Sequence, residues 1–226
     1  MEHLNNGFTL HIPEGCFPLS TDSMLLSDFV RLPKGANVLD LGAGCATLGL
    51  LLCAGDPGCT VTGIELDPTA HAAALDNIRR NGLQERLSSI CGDLRGIPTG
   101  NYSCCISNPP YYSGGPASRT AATARRDDLC STAELFAAAA RALRYGGDFF
   151  IVHKPEKLAQ LCAEGSQYGL QAKRLRLIRH RWSGPVTLIL LQLRKGGKPG
   201  LVWEEAFLHN ADGTPSDYYR KLYHLE

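Results

Sequence analysis

From residue 37 onward, apolar runs of strand length alternate with stretches of helical length. Residues 37–41 (NVLDL) form a short apolar run that stops at Gly42, as suits a buried parallel strand. The run from Thr47 to Cys53 is apolar all round and reads as a helix. Residues 60–66 (TVTGIEL) read as a second strand, and Asp67-Pro68 then supply an N-cap and a proline for the first helical position. That helix carries Ala72, Leu75 and Ile78, has Arg79 and Arg80 in its last turn and stops at Asn81-Gly82. A third strand covers about 87–91 and ends before Gly92-Asp93; a fourth covers about 102–107 and runs into Asn108-Pro109-Pro110-Tyr111. Residues 112–128 are rich in Gly, Ser and Arg and read as a long loop. Ser131 to Glu134 is a capping-box signature, followed by an Ala-rich helix to Leu143 and a Gly146-Gly147 stop. A fifth strand fits 148–153, with a helix from Pro155. Two more strands fit 171–179 and 186–193 with no helical pattern between them. After a Gly-rich turn at 196–200, residues 201–224 read as a short strand and a short helix.

Repeated βα units predict an α/β fold built on a doubly wound parallel sheet with right-handed crossovers. The two late strands imply an antiparallel hairpin at one edge. The pattern divides the chain into a segment ahead of the sheet (1–35), a βα domain (36–195) and a C-terminal extension packed on the same domain (196–226). In such sheets ligands bind beyond the carboxyl ends of the strands, so the residues just after each strand are the candidates for chemistry.

Composition narrows the classes. With 226 residues, 44% hydrophobic and 20% charged, the chain can bury a full core and is not a disordered polypeptide. No apolar run approaches the roughly 20 residues that span a bilayer, so no membrane partner is expected. The net charge of +1 hides an asymmetry: residues 1–113 carry 6 basic and 11 acidic side chains, residues 114–226 carry 17 and 11. That split suggests an anion-binding second half. Nine cysteines with no leader pattern ahead of them read as free thiols in a reducing, cytoplasmic setting. No C-x-x-C pair exists and Cys104-Cys105 would face opposite sides of a strand, so no metal site is expected.

The strand ends carry the chemistry. Asp40-Leu41-Gly42-Ala43-Gly44-Cys45-Ala46-Thr47 is a glycine-bearing turn between strand and helix. The third glycine of a dinucleotide loop is replaced by Thr47, which disfavours a nicotinamide oxidoreductase. Glu65, 21 residues after Gly44, ends the second strand where a carboxylate can hold two ribose hydroxyls. Asp93 ends the third and can accept from an adenine amino group. Asn108-Pro109-Pro110-Tyr111 ends the fourth. Its prolines stiffen the backbone and remove two donors, leaving the Asn108 side-chain oxygen and the Pro109 carbonyl to accept from one planar amino group. Tyr111 can stack on a flat acceptor.

This combination resembles the class I S-adenosylmethionine-dependent methyltransferases over about residues 36–195, and implies their seven-stranded sheet. The resemblance implies cofactor contacts at Asp40, Gly42, Ala43, Gly44, Thr47, Glu65, Leu66, Asp93, Leu94 and Asn108. It also implies methyl transfer to a planar amino nitrogen by Asn108, Pro109, Pro110 and Tyr111. Together with Phe17 to Leu26, Arg119, Arg125, Arg126 and Val152 to Leu158, the tetrapeptide resembles the bacterial tRNA(Val) adenine-N6 methyltransferase group, with Asp127 where many relatives have Glu. By that likeness Thr21 and Asp22 lie over the cofactor, although Asp22 also suits a helix start. The implied substrate is RNA, a tRNA near its anticodon. Only about 36 residues precede the first strand, and no room remains for a large target-recognition domain. Methylation of guanine N2 in ribosomal RNA or of a protein glutamine remains open, as does a non-catalytic RNA-binding protein. Arg119, Arg125 and Arg126 are candidates for phosphate contacts. Lys173, Arg174 and Arg176 belong to a basic run in which Arg174 and Arg176 alternate with Leu175 and Leu177, an amphipathic strand with one charged face suited either to RNA or to guarding an exposed edge.

Overall fold

A computed structural model describes residues 1–4, 7–110 and 130–225. Two-residue strands β1 (Glu2–His3) and β2 (Thr9–Leu10) pair near the N-terminus, ahead of helix α1 (Thr21–Phe29). The alternating pattern then becomes β3 (Asn37–Leu41), α2 (Thr47–Gly55), β4 (Thr60–Glu65), α3 (Pro68–Arg80), β5 (Leu87–Cys91) and β6 (Tyr102–Ser107). It continues through α4 (Thr132–Ala142), β7 (Leu143–His153), α5 (Leu158–Gln167), β8 (Leu170–Arg181), β9 (Val186–Lys195), β10 (Val202–His209) and α6 (Asp217–Tyr223).

The expected local signals act as read. Asp67 caps α3 by accepting from Thr69 N, with Pro68 at the first turn, and Ser131 and Glu134 form both halves of the capping box on α4. Two details differ. The N-cap of α1 is Ser20, with Asp22 inside the first turn, where its charge favours the helix dipole. Strand β7 starts directly after α4 and runs through Gly146-Gly147, where the pairing with β6 jumps from Tyr102–Leu143 to Cys104–Asp148. Those glycines therefore accommodate an irregularity inside a strand rather than ending a helix.

The main sheet has the order β5-β4-β3-β6-β7-β9-β8-β10. All neighbours are parallel except at β9, which runs antiparallel to both β7 and β8. The α/β class is as expected, but the sheet has eight strands rather than seven. The hairpin β8–β9 does not form an edge: β9 lies inside, and β10 covers β8 in parallel register. One core, with α1, α2 and α3, fills one face, and a second, with α4 and α5, fills the other. Cys104 and Cys105 fall in different cores, as their adjacency requires.

Placing β10 on β8 changes the meaning of the basic strand. Arg174 is buried, its guanidinium lying 3.9 Å from the Phe29 ring centroid and donating to the Phe29 carbonyl. Arg176 donates to Glu204 (2.7 Å), Asp28 (2.8 Å) and the Tyr218 hydroxyl (3.0 Å). Lys173 donates to the Lys198 carbonyl near the amino end of β8, the sheet edge away from the strand ends that carry chemistry. The expected RNA contact by Lys173, Arg174 and Arg176 is therefore corrected: the two arginines tie α1 and β10 to the sheet, and the lysine holds the turn after β9.

Asn77, fully buried on α3, accepts from His11 N (2.7 Å) and donates to the carbonyls of His11 (2.8 Å) and Cys45 (3.0 Å). One turn later Asn81 bonds the Thr9 backbone in the same two-way manner. These amides pin the N-terminal segment beside the loop after β3.

Removing the Arg176 guanidinium leaves Asp28 and Glu204 facing each other in a mostly buried place. Arg176→Ala is expected to destabilise the protein by about 2–3 kcal/mol, read as a drop in thermal midpoint; an unchanged midpoint contradicts this account of the strand.

Candidate active site

A cavity of about 620 Å³ opens at the carboxyl ends of β3, β4, β5, β6 and β7, within the size range of small-molecule sites. It lies where the chain order of the parallel strands reverses, between β3 and β6. Its floor is the turn after β3. Gly42 sits at φ 78°, a conformation a side chain would strain, and the backbone N–H groups of Gly42 and Ala43 both donate to the Ile64 carbonyl at 3.0 Å. The turn lies so close to β4 that a Cβ on Gly63 would meet the Ala43 Cβ at 2.6 Å. Glu65 fastens it from the side: one carboxylate oxygen accepts from Gly44 N (2.7 Å) and the other from Asp67 N (2.8 Å).

Most of the residues expected at a cofactor meet here. Gly42, Ala43, Gly44, Thr47, Glu65, Leu66, Asp93, Leu94, Asn108, Pro109 and Pro110 all line the cavity. Asp93 is engaged locally: its carboxylate accepts from the backbone and side chain of Arg95, which holds it below the usual carboxylate range. Three expected contacts lie outside the wall. Thr21 receives the Tyr223 hydroxyl at 2.9 Å, Asp22 stands in the same helical turn, and Asp40 is sealed beneath the loop. Tyr111, Arg119, Arg125 and Arg126 fall outside the described residues.

Several wall residues received no role from the sequence, although Phe17, Ser23 and His153 fall in segments that carry the resemblance. Gly15 and Phe17 reach the cavity from the pinned N-terminal segment, and Ser23 reaches it from α1. His153 closes the end of β7. Burial, helped by Lys157 and Lys154, lowers its pKa to about 4, and its Nδ1 accepts from Lys154 N (2.8 Å), so the neutral ring carries its proton on Nε2. The thiols of Cys45 and Cys130 are pushed up to about 12 and about 11, chiefly by burial. None of these three supplies a thiolate or a ready base at neutral pH.

Asn108 has the most consequential geometry. Its Nδ2 donates to Ser23 Oγ at 3.0 Å. Its Oδ1 is buried and has no hydrogen-bond partner among the described residues. An acceptor in that state, at a cavity wall, suits a donor brought by a ligand. Asp40 lies below the loop, with both carboxylate oxygens buried and without a hydrogen-bond partner among the described residues. Burial first, and the Glu65 charge second, raise its pKa to about 8. Glu65 puts a carboxylate beside the loop, and Leu66, Leu94 and Leu135 supply apolar walls for a flat ring. These residues fit S-adenosylmethionine.

The sheet order, the glycine turn and the Glu65 carboxylate that ends β4 together make a nucleotide-cofactor site of an α/β enzyme. The chain belongs to the methyltransferase small domain family, whose model matches residues 19–161. It is 29% identical to a tRNA1(Val) (adenine(37)-N6)-methyltransferase of Photobacterium profundum, over 96% of this chain and 99% of that one. It is 31% identical to the protein of that name from Dickeya chrysanthemi, over 80% and 74%. Among solved structures, a predicted O-methyltransferase from Agrobacterium tumefaciens shares the fold at a TM-score of 0.75 and 18% identity, over 90% of this chain and 96% of that one. The protein is an S-adenosylmethionine-dependent N-methyltransferase. No helix among the described residues is long and apolar enough to cross a membrane.

Ser23→Ala removes the acceptor that orients the Asn108 amide. Turnover is expected to fall about tenfold or more, as one unmade buried hydrogen bond implies, with cofactor affinity little changed and with Ser23→Thr retaining most activity; an undiminished kcat contradicts the orienting role. A second expectation concerns pH. Folded Asp40 keeps a proton that the unfolded chain releases between pH 3.8 and about 8. Asp40's contribution to the stability of the cofactor-free protein should therefore be lost as pH rises through that window, and Asp40→Asn should remove that contribution, leaving the opposite one of His153 below pH 6.5. Urea unfolding across the window measures it, and an identical slope in the variant counts against it.

Proposed function

We propose that the protein methylates the N6 amino group of an adenine in RNA, and that the RNA is a tRNA modified beside its anticodon. The observation that carries this reading is the buried Oδ1 of Asn108 at the cavity wall, without a partner among the described residues, while the amide nitrogen donates to Ser23. The names of the relatives along most of the chain support adenine over guanine or a glutamine amide.

The loop from Gly42 to Gly44, with Thr47, Glu65, Leu66, Asp93 and Leu94, would hold the cofactor. When bound, S-adenosylmethionine supplies an electrophilic methyl group on a positively charged sulfur. Asn108 Oδ1 and the neighbouring Pro109 carbonyl accept the two N–H bonds of the target amine. Holding both turns the nitrogen lone pair out of conjugation with its ring and stabilises positive charge as it develops there. Pro109 and Pro110 have no N–H, so the segment offers no competing donor. Tyr111 stacks on the extruded base, and Arg119, Arg125 and Arg126 take phosphates beside it. A prior deprotonation of the amine is not required, which agrees with a protonated Cys45 and Cys130 and a neutral His153.

Incubation with labelled methyl donor and undermodified tRNA, followed by nucleoside mass spectrometry, tests the reading. N6-methyladenosine is expected, and its absence from every RNA tried would refute it. Asn108→Ala should lower kcat by about a hundredfold, the scale of losing an oriented transition-state hydrogen bond, while cofactor affinity stays nearly intact. Parallel loss of both contradicts the assigned role.

A further inference from the structure

Strands β7, β8 and β10 run in one direction, so their carboxyl ends share the sheet edge that holds the cavity. At that edge β6 and β7 deliver Asn108 and His153 to the cavity. Further along, β8, β10 and α6 carry a row of rings. His180 stands 4.7 Å from His209 between centroids, His209 5.3 Å from Tyr219, and Tyr219 4.5 Å from Tyr223. The Tyr223 hydroxyl bonds Thr21, two residues before the Ser23 that orients Asn108. The row therefore starts beside the cavity wall and leads outward across α6.

These rings keep part of their surface open, although Tyr219 and Tyr223 pack on the core beneath α6. His180 is exposed, and His209, Tyr219 and Tyr223 are half-buried. Trp182 is 60% exposed, standing edge-on to Phe207 at 4.9 Å and donating its backbone N–H to the His209 carbonyl. The charge pattern here also differs from the rest of β8. Arg174, Arg176 and Arg179 each meet a carboxylate. Arg181, Arg220 and Lys221, which flank the row, are exposed and pair with no carboxylate among the described residues. Half-exposed rings offer faces on which unpaired bases stack, and free cations beside them take phosphates. An acidic protein segment would use the cations and leave the rings idle.

We infer that this row is a platform for the unpaired nucleotides flanking the target base, a conclusion that rests on the RNA reading above. Trp182→Ala and the double variant Arg220→Ala with Lys221→Ala change exposed side chains outside the cavity. The probe is a fluorescein-labelled anticodon stem-loop RNA, followed by anisotropy, with methyl transfer at saturating RNA measured alongside. Trp182→Ala is expected to weaken binding about tenfold, and Trp182→Phe to keep most of the affinity. The double variant should weaken binding and flatten its salt dependence, the log–log slope falling by roughly 0.7 for each phosphate no longer neutralised. Melting temperature and kcat at saturating RNA should stay as in the wild type. If the wild type methylates this RNA and the variants bind it equally well, the platform is overturned while the adenine reading stands. If the wild type labels a protein amide and no RNA, the RNA reading fails and the platform with it.

Discussion

The hydrogen bond between Asn108 and Ser23 joins the acceptor segment to α1. A side-chain amide presents an oxygen or a nitrogen depending on a half-turn, and here the Asn108 nitrogen donates to Ser23 Oγ. The oxygen is left buried without a partner, a state that favours an incoming N–H donor. The two residues lie 85 positions apart, so α1 must dock on the sheet before the acceptor is defined. Arg174 and Arg176 contribute to that docking through Phe29 and Asp28, and the C-terminal helix adds the Tyr223–Thr21 contact. The segments before and after the βα core thus both help to orient the amide.

The parallel register supplies the other half of the site. Strands β3, β4, β5, β6 and β7 end along one sheet edge, so a glycine turn, two carboxylates and an acceptor segment converge from distant positions. Glu65 illustrates how tightly the parts are shared. Its oxygens hold the Gly44 and Asp67 backbones, so the residue that would meet a ribose also fixes the shape of the loop beneath it. A substitution there would alter loop geometry and ligand contact together.

The strand ends were legible because short apolar-rich stretches stop at Gly, Asp, Glu or Asn, and α3 and α4 carry side-chain caps. Gly42, Glu65, Asp93 and Asn108 could be placed on one edge from that pattern alone. Ser23 was not legible, since one serine in a helix carries no signal until its partner across the sheet is known. The basic strand misled for a related reason. Alternating Arg and Leu look the same on an exposed edge as on a covered strand, and what covers β8 is a strand some 28 residues further on together with Asp28, 148 residues back. The buried state of Asp40 is likewise a product of packing, since its sequence position only marks the end of a strand.

The central claim is that the methyl acceptor is an exocyclic amino nitrogen held by the Asn108 oxygen. Two transcripts of one tRNA test it most directly, identical except that the adenine beside the anticodon is replaced in the second by purine, which lacks the amino group. Single-turnover transfer from labelled S-adenosylmethionine should modify the first and leave the second unlabelled. Equal labelling of both would place the methyl group elsewhere and contradict the account.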